Sequence, residues 1–178
     1  MARNLTPEDV AEVLDELVAE LARRGAGTVH VIGGAALALI NPDRRSTTDI
    51  DGWITGVADA DDVITQVQHR WGLDADWFNF HSNGLLPPVG GPEMYQLMAQ
   101  VGNVRLYVAR PAALLAMKLH AARAKDQDDI AFLLRHCAVT TTEEAEVAYD
   151  QYYPGEGLSG RAIARVQAAL THTRNPEG

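Results

Sequence analysis

One cysteine, Cys137, and two lysines, Lys118 and Lys125, stand against thirteen arginines in this 178-residue chain. A lone cysteine excludes an internal disulfide and fits a reducing cytoplasm. No apolar run approaches the roughly 20 residues of a membrane-spanning helix. The start, Met1-Ala2-Arg3-Asn4, leads straight into a polar helix opening, so no signal peptide is expected. Positive charge is scarce: 15 Lys and Arg face 24 Asp and Glu, for a net charge of −9. That balance does not favour non-specific binding to nucleic acid, which depends on basic surface and counterion release. No Walker A, dinucleotide-binding or Gly-x-Ser-x-Gly motif occurs. The six histidines show no metal-ligand spacing.

The apolar fraction, 47%, is ordinary for a globular chain, and the length suits one domain with its own core. Thr6-Pro7-Glu8-Asp9 opens a helix, with Thr6 as N-cap. Val10, Val13, Leu14, Leu17, Val18 and Leu21 give it one apolar stripe, and Arg23-Arg24-Gly25 closes it. Its acidic residues form a solvated face. Thr28–Ile32 reads as a strand and Thr48–Thr55 as a second. A helix spans 59–71, with Val63, Ile64, Val67 and Trp71 inward. Residues 72–100 mix short strands with a mobile loop. Asn103–Ala109 alternates as a strand, and Pro111 starts a helix to about Ala124. Asp126 caps another helix from Gln127 to His136. Thr141-x-x-Glu144 is a capping box. Ser159 caps a last helix, and the tail after Thr171 is loose. Cys137 packs near a helix end, and His30 packs in its strand.

The chemistry concentrates between Val29 and Ile54. The apolar run Val29-His30-Val31-Ile32 ends in Gly33-Gly34, and small residues from Ala35 to Ile40 suit a short helix. Asp49-Ile50-Asp51 then opens the second strand. A diglycine after a strand lets backbone N–H groups approach a phosphate without an intervening side chain. Carboxylates at i and i+2 of a strand share one face, about 7 Å apart at Cα. Such a pair can hold a hard divalent cation through oxygen. The alternation sets Asp49, Asp51 and Trp53 on a cleft face and Ile50, Gly52 and Ile54 on a core face. Arg45 and Thr48 are within reach of the same phosphates, or are simply a solvated loop arginine and a strand threonine.

Strand, Gly33-Gly34, short helix and Asp49-x-Asp51 resemble the nucleotidyltransferase superfamily built on the DNA-polymerase-beta-like fold. With the frame Arg45-x-Thr47-x-Asp49, the chain is similar to the branch that includes AbiEii and MenT-type toxin nucleotidyltransferases. The resemblance implies that Gly33 and Gly34 cradle phosphate, and that Asp49 and Asp51 bind Mg²⁺. It also implies a lysine and an acid in a downstream helical segment. Lys118 matches the lysine, and Asp129 or Asp126 the acid. Lys118 stands on the apolar side of its helix, near Leu114 and Leu115, where an ammonium either snorkels or enters a cleft. Asp126 also suits an N-cap, and Asp129 the third position of the helix. The family's third strand carboxylate has no counterpart in Asn103–Val108.

These readings converge on an α/β (α+β) fold. A small mixed sheet is flanked by helices, with a core at about 26–136 and a helical C-terminal part at about 140–172, in one domain. The expected activity moves a nucleoside monophosphate from an NTP to an acceptor hydroxyl. The resemblance extends this to a tRNA 3′ end as acceptor and an antitoxin protein as partner. A basic strip from Arg105 to Arg135 is the surface such an RNA end would use. Two alternatives remain. Asp49-Ile50-Asp51-Gly52-x-x-Thr55 also fits a haloacid-dehalogenase-like phosphatase, and the missing strand acid fits a catalytically silent binding module. Trp77, Phe78 and Phe80 serve either to stack a base or as core.

Overall fold

The computed structural model describes residues 3–174, and the chain divides into two compact units. The first takes the chain up to Asn83 and adds Tyr95–Ala109. The second takes Gly84–Met94 and the chain from Arg110 onward.

In the first unit, helix α1 spans Pro7–Ala22. Thr6 and Asp9 form a reciprocal capping box, which satisfies N–H groups that the first helical turn leaves open. All six residues of the expected stripe are buried. Each contributes about 1.5–3 kcal/mol by leaving water. The acidic face is not purely solvated. Glu16 and Glu20 both accept from Arg70 Nη1 at 2.7 Å, and Trp71 Nε1 donates to Glu16 at 2.7 Å. These pairs tie α1 to α3, Ala60–Trp71.

Strand β1 (Gly27–Val31) is central in a five-stranded mixed sheet. The others are β2 (Ile50–Thr55), β3 (Phe78–Asn79), β4 (Tyr95–Val101) and β5 (Val104–Ala109). The order is β3-β2-β1-β5-β4. β1 runs antiparallel to β2 and parallel to β5. β4 pairs antiparallel with β5 through a tight hairpin, with an irregularity between Leu97 and Ala99. A seven-residue strand therefore occupies the end of the segment expected to be loop-rich. Helix α2, Gly33–Ala38, begins at the diglycine itself, two residues earlier than expected. β2 begins at Ile50, not Thr48, because Thr47 bridges to Leu5 and only then does Ile50 N–H donate to the Trp77 carbonyl.

The second unit is helical: α4 (Pro111–Ala121), α5 (Gln127–His136), α6 (Thr142–Asp150) and α7 (Gly160–Arg174). α4 stops three residues short of expectation because Ala122 turns into the left-handed region at φ +45°. Thr141 and Glu144 form the expected capping box. Ser159 Oγ accepts from Ala162 N–H at 3.2 Å. α7 continues through Arg174, past the point where a loose tail was expected. The rest of that tail, and the Met1-Ala2 start, lie outside the described residues. The mixed sheet, flanking helices and helical C-terminal stretch match the expected fold class. Among the described residues no helix is long and apolar enough to cross a membrane.

Candidate functional site

The antiparallel register of β1 and β2 brings the diglycine turn against the acid pair. Ile32 N–H donates to the Asp51 carbonyl at 2.9 Å, so pairing persists to the last residue before the turn. Gly33 has φ +66°, and a Cβ there would meet Asp51 Oδ2 at 2.9 Å. The left-handed backbone favours glycine, and any side chain there would press on the Asp51 carboxylate. A Cβ on Gly34 would lie 3.1 Å from Thr47 Oγ1 and 3.2 Å from Arg44 Nη2. The turn is therefore enclosed by a carboxylate, a hydroxyl and a guanidinium.

Asp49 precedes β2 and Asp51 lies within it, pairing with Asn79 of β3. Asp49 Oδ1 accepts from Thr48 Oγ1 and Oδ2 from Asn79 Nδ2, both at 3.2 Å. Asp51 Oδ1 accepts from Ser82 N–H at 3.3 Å. Asn79 Oδ1 also accepts from His81 N–H at 2.9 Å, which ties the turn after β3 to the pair. Burial pushes the Asp51 carboxyl above the usual carboxylate range, and the Asp49 charge adds to the rise. Hydrogen bonds from Ser82 and the proximity of His81 oppose it.

A hard divalent cation fits this donor set. Its charge would offset the desolvation that raises Asp51, and both carboxylates offer oxygen. Among the described residues no group of three or more His, Cys, Asp or Glu is arranged to hold a metal. β5 turns Arg105, Tyr107 and Ala109 to this face of the sheet, and none is an acid.

Of the flanking residues, Thr48 reaches Asp49 rather than standing free. Arg45 is exposed, and its carbonyl accepts from Arg44 Nη1 at 3.2 Å. Arg44, one residue earlier than the arginine singled out from the sequence, is the one beside Gly34. Trp77 is core, fully buried with Nε1 donating to the Ile64 carbonyl. The phosphatase reading needs an apolar strand running directly into Asp49. Here Asp49 precedes its strand, and the apolar strand β1 ends at the diglycine.

The second unit assembles the other sequence-marked residues. Lys118 Nζ donates to Asp126 Oδ1 at 2.6 Å and to Asp129 Oδ2 at 2.9 Å. The side chains are 14%, 6% and 10% exposed, so all three charges are withdrawn from water together. Lys118 thus does not snorkel. Asp126 occupies the N-cap position of α5 but makes no capping hydrogen bond with its side chain; the carboxylate turns to Lys118 instead. Asp129 lies in the first turn of α5 and serves Lys118 as well. Cys137 follows α5 as its C-cap, where partial burial pushes its thiol up.

Sequence reasoning missed Arg44, Asn79 and Ser82. Asn79 and Ser82 reach the acids only through the parallel pairing of β3 with β2, some 30 residues along the chain, and no local spacing announces that contact. A family model described as "Nucleotidyltransferase of unknown function (DUF6036)" matches residues 9–134. Comparison with curated proteins and with solved structures gave no match.

Proposed function

Because the chain belongs to this family of nucleotidyltransferases (DUF6036), we propose that it transfers a nucleoside monophosphate from an NTP to an acceptor hydroxyl in a Mg²⁺-dependent reaction. The observation that carries the reading is the packing of Gly33 against the Asp51 carboxylate, which joins a phosphate-approachable turn to an acid pair at one end of β1 and β2. Asp49 and Asp51 are the residues assigned to Mg²⁺. Bound there, the ion would neutralise charge on the triphosphate and on the departing pyrophosphate. Gly33 and Gly34, with first-turn N–H groups of α2, are assigned to phosphate oxygens, and Arg44 supplies a cation beside them. Asn79, Ser82 and Thr48 hold the two carboxylates in place.

By the resemblance alone, Lys118 is assigned as a phosphate contact or an aid to the acceptor hydroxyl, and within its own unit Asp126 and Asp129 hold its ammonium. The resemblance to AbiEii and MenT-type toxins supports a tRNA 3′ end as acceptor and an antitoxin as partner. Net charge argues for a restricted basic patch rather than a broad one. Lys118 adds no net positive charge to such a patch, since Asp126 and Asp129 offset it. Arg123, Lys125 and Arg135 are exposed and available to one. The lack of an acid on β5 supports a second reading, a module that binds nucleotide without turnover.

Incubation with each α-labelled NTP, Mg²⁺, total RNA and total protein tests these readings. Label in an acceptor, with pyrophosphate released, supports transfer, and the labelled fraction identifies the acceptor. Release of inorganic phosphate instead points to the phosphatase. Binding of NTP with neither product points to the silent module.

A further inference from the structure

The sheet face that carries Asp51 also carries a row of rings that the diglycine and acid pair do not use. The register sets Tyr107, His30 and Trp53 side by side across β5, β1 and β2. His30 is parallel to Trp53 at 4.7 Å between centroids and nearly parallel to Tyr107 at 5.3 Å. Tyr95 of β4 meets His30 edge-on at 5.0 Å, and Phe80 tilts against Trp53 at 4.7 Å. All five side chains stay partly exposed. Trp53 lies two residues beyond Asp51 on β2, so the row starts one pleat away from the carboxylate.

His30 is the odd member. A purely apolar ring would fill its slot without penalty, whereas imidazole brings Nδ1, which is buried and has no hydrogen-bond partner. Such an atom is uncommon in a folded protein and calls for an explanation. Trp53 and Tyr107 cover the ring faces, Tyr95 meets an edge and Nδ1 is enclosed, whereas Nε2 is not a buried atom without a partner. Burial lowers the imidazole pKa, which keeps the ring neutral at neutral pH. A neutral imidazole has a single N–H. Orphaned buried N–H groups are rarer than under-satisfied acceptors, so the proton belongs on Nε2. His30 is therefore a rigid, uncharged N–H donor set in an aromatic floor beside the acid pair.

We infer that this row is a nucleoside subsite, in which the ring edges of Trp53, Phe80, Tyr95 and Tyr107 carry a base with its ribose and His30 Nε2–H donates to an acceptor atom on it. Edge-to-face contact is a favoured aromatic geometry, and every base has a π-face to offer. An apolar floor with one neutral donor does not suit a bare phosphate. The nucleoside can come from the NTP or from the terminal nucleotide of an RNA acceptor, since both offer the same chemistry. The inference rests on the transferase reading only for what lies beside it at Asp51.

The test is calorimetric binding of wild type and His30→Phe to non-hydrolysable NTP analogues, a short RNA oligonucleotide and tripolyphosphate, all with Mg²⁺. His30→Phe keeps the ring and removes Nε2–H. Affinity for the NTP analogue or the oligonucleotide should fall about five- to tenfold, the worth of one neutral hydrogen bond. Tripolyphosphate affinity should not change. Loss confined to the NTP analogue assigns the incoming nucleotide, and loss confined to the oligonucleotide assigns the acceptor. Unchanged affinity for both, or an equal loss for tripolyphosphate, overturns the subsite. Should the variant not fold, ¹⁵N spectra of wild-type imidazoles decide: ligand binding must move His30 Nε2, and a stationary signal with bound ligand overturns the inference. Wild type that shows the His30 shift yet releases no pyrophosphate keeps the subsite and loses the transferase. Wild type that releases pyrophosphate while His30→Phe binds unchanged loses only the subsite.

Discussion

Asp51 carries two unfavourable contributions when the chain folds, burial of its carboxylate and the neighbouring charge of Asp49. Its folded pKa is raised, so the folded state holds the proton more tightly than the unfolded state does. The ionised form therefore costs stability above the raised pKa, and the cost disappears as pH falls below the ordinary carboxylate value of about 4. Asp51→Asn keeps an oxygen for Ser82 N–H and removes the charge. In metal-free buffer it should melt above the parent at pH 8, with the gain shrinking towards pH 4, while transfer falls by about a hundredfold or more. Thermal melts across that range check the first part, and a parent-like melt at pH 8 would contradict it. Lys118 is the converse case. Removing it strands two buried carboxylates, and breaking a buried ion pair costs about 3–5 kcal/mol. Lys118→Ala should lose that much in urea unfolding together with strong loss of transfer, whereas exposed Lys125→Ala should change neither greatly. Parent-like unfolding of Lys118→Ala would show that the pair contributes nothing. Residue chemistry was partly legible in advance: two carboxylates in alternation and a lysine on an apolar helix face both stand out in the sequence. The partners of Asp49 and Asp51 do not, because Asn79 and Ser82 arrive through a non-local strand pairing.

At the scale of elements, local rules worked where the contacts are local. The boxes at Thr6-x-x-Asp9 and Thr141-x-x-Glu144 start α1 and α6 as their side chains dictate. Glu144 accepts from Thr140 backbone N–H and hydroxyl, and these bonds hold its carboxyl below the usual range. A lowered pKa places that contribution above the ordinary carboxylate value and removes it as pH falls through the folded one. Thr141→Ala should cost about 1 kcal/mol, seen as a melting temperature lower by about 2–4 °C. An unchanged midpoint at neutral pH would mean that α6 does not depend on its cap. β4 was not legible. It is an edge strand whose Leu97, Met98 and Val101 are all exposed, and its register slips after Leu97, so its apolar residues do not alternate between two environments. Asp126 misled in another way. Its position suits a cap, but an ammonium is a stronger partner than a helix N–H, and the side chain follows the ammonium.

For the whole molecule, the mixed sheet and the helical C-terminal stretch follow from patterns readable along the chain, while the division into two compact units does not. Each unit takes a segment from the other's stretch of sequence, Tyr95–Ala109 in one case and Gly84–Met94 in the other, so no linker composition marks a boundary. The family assignment covers residues 9–134 and leaves the acceptor to chemistry. The central claim is that the acid pair beside the diglycine makes this chain a nucleotidyltransferase. Its most direct test is Mg²⁺-dependent pyrophosphate release and label transfer from α-labelled NTP, measured on wild type, Asp49→Ala and Asp51→Asn after melts show all three folded. The account predicts transfer by wild type that requires Mg²⁺ and is lost in both variants. Full transfer by either variant would contradict it.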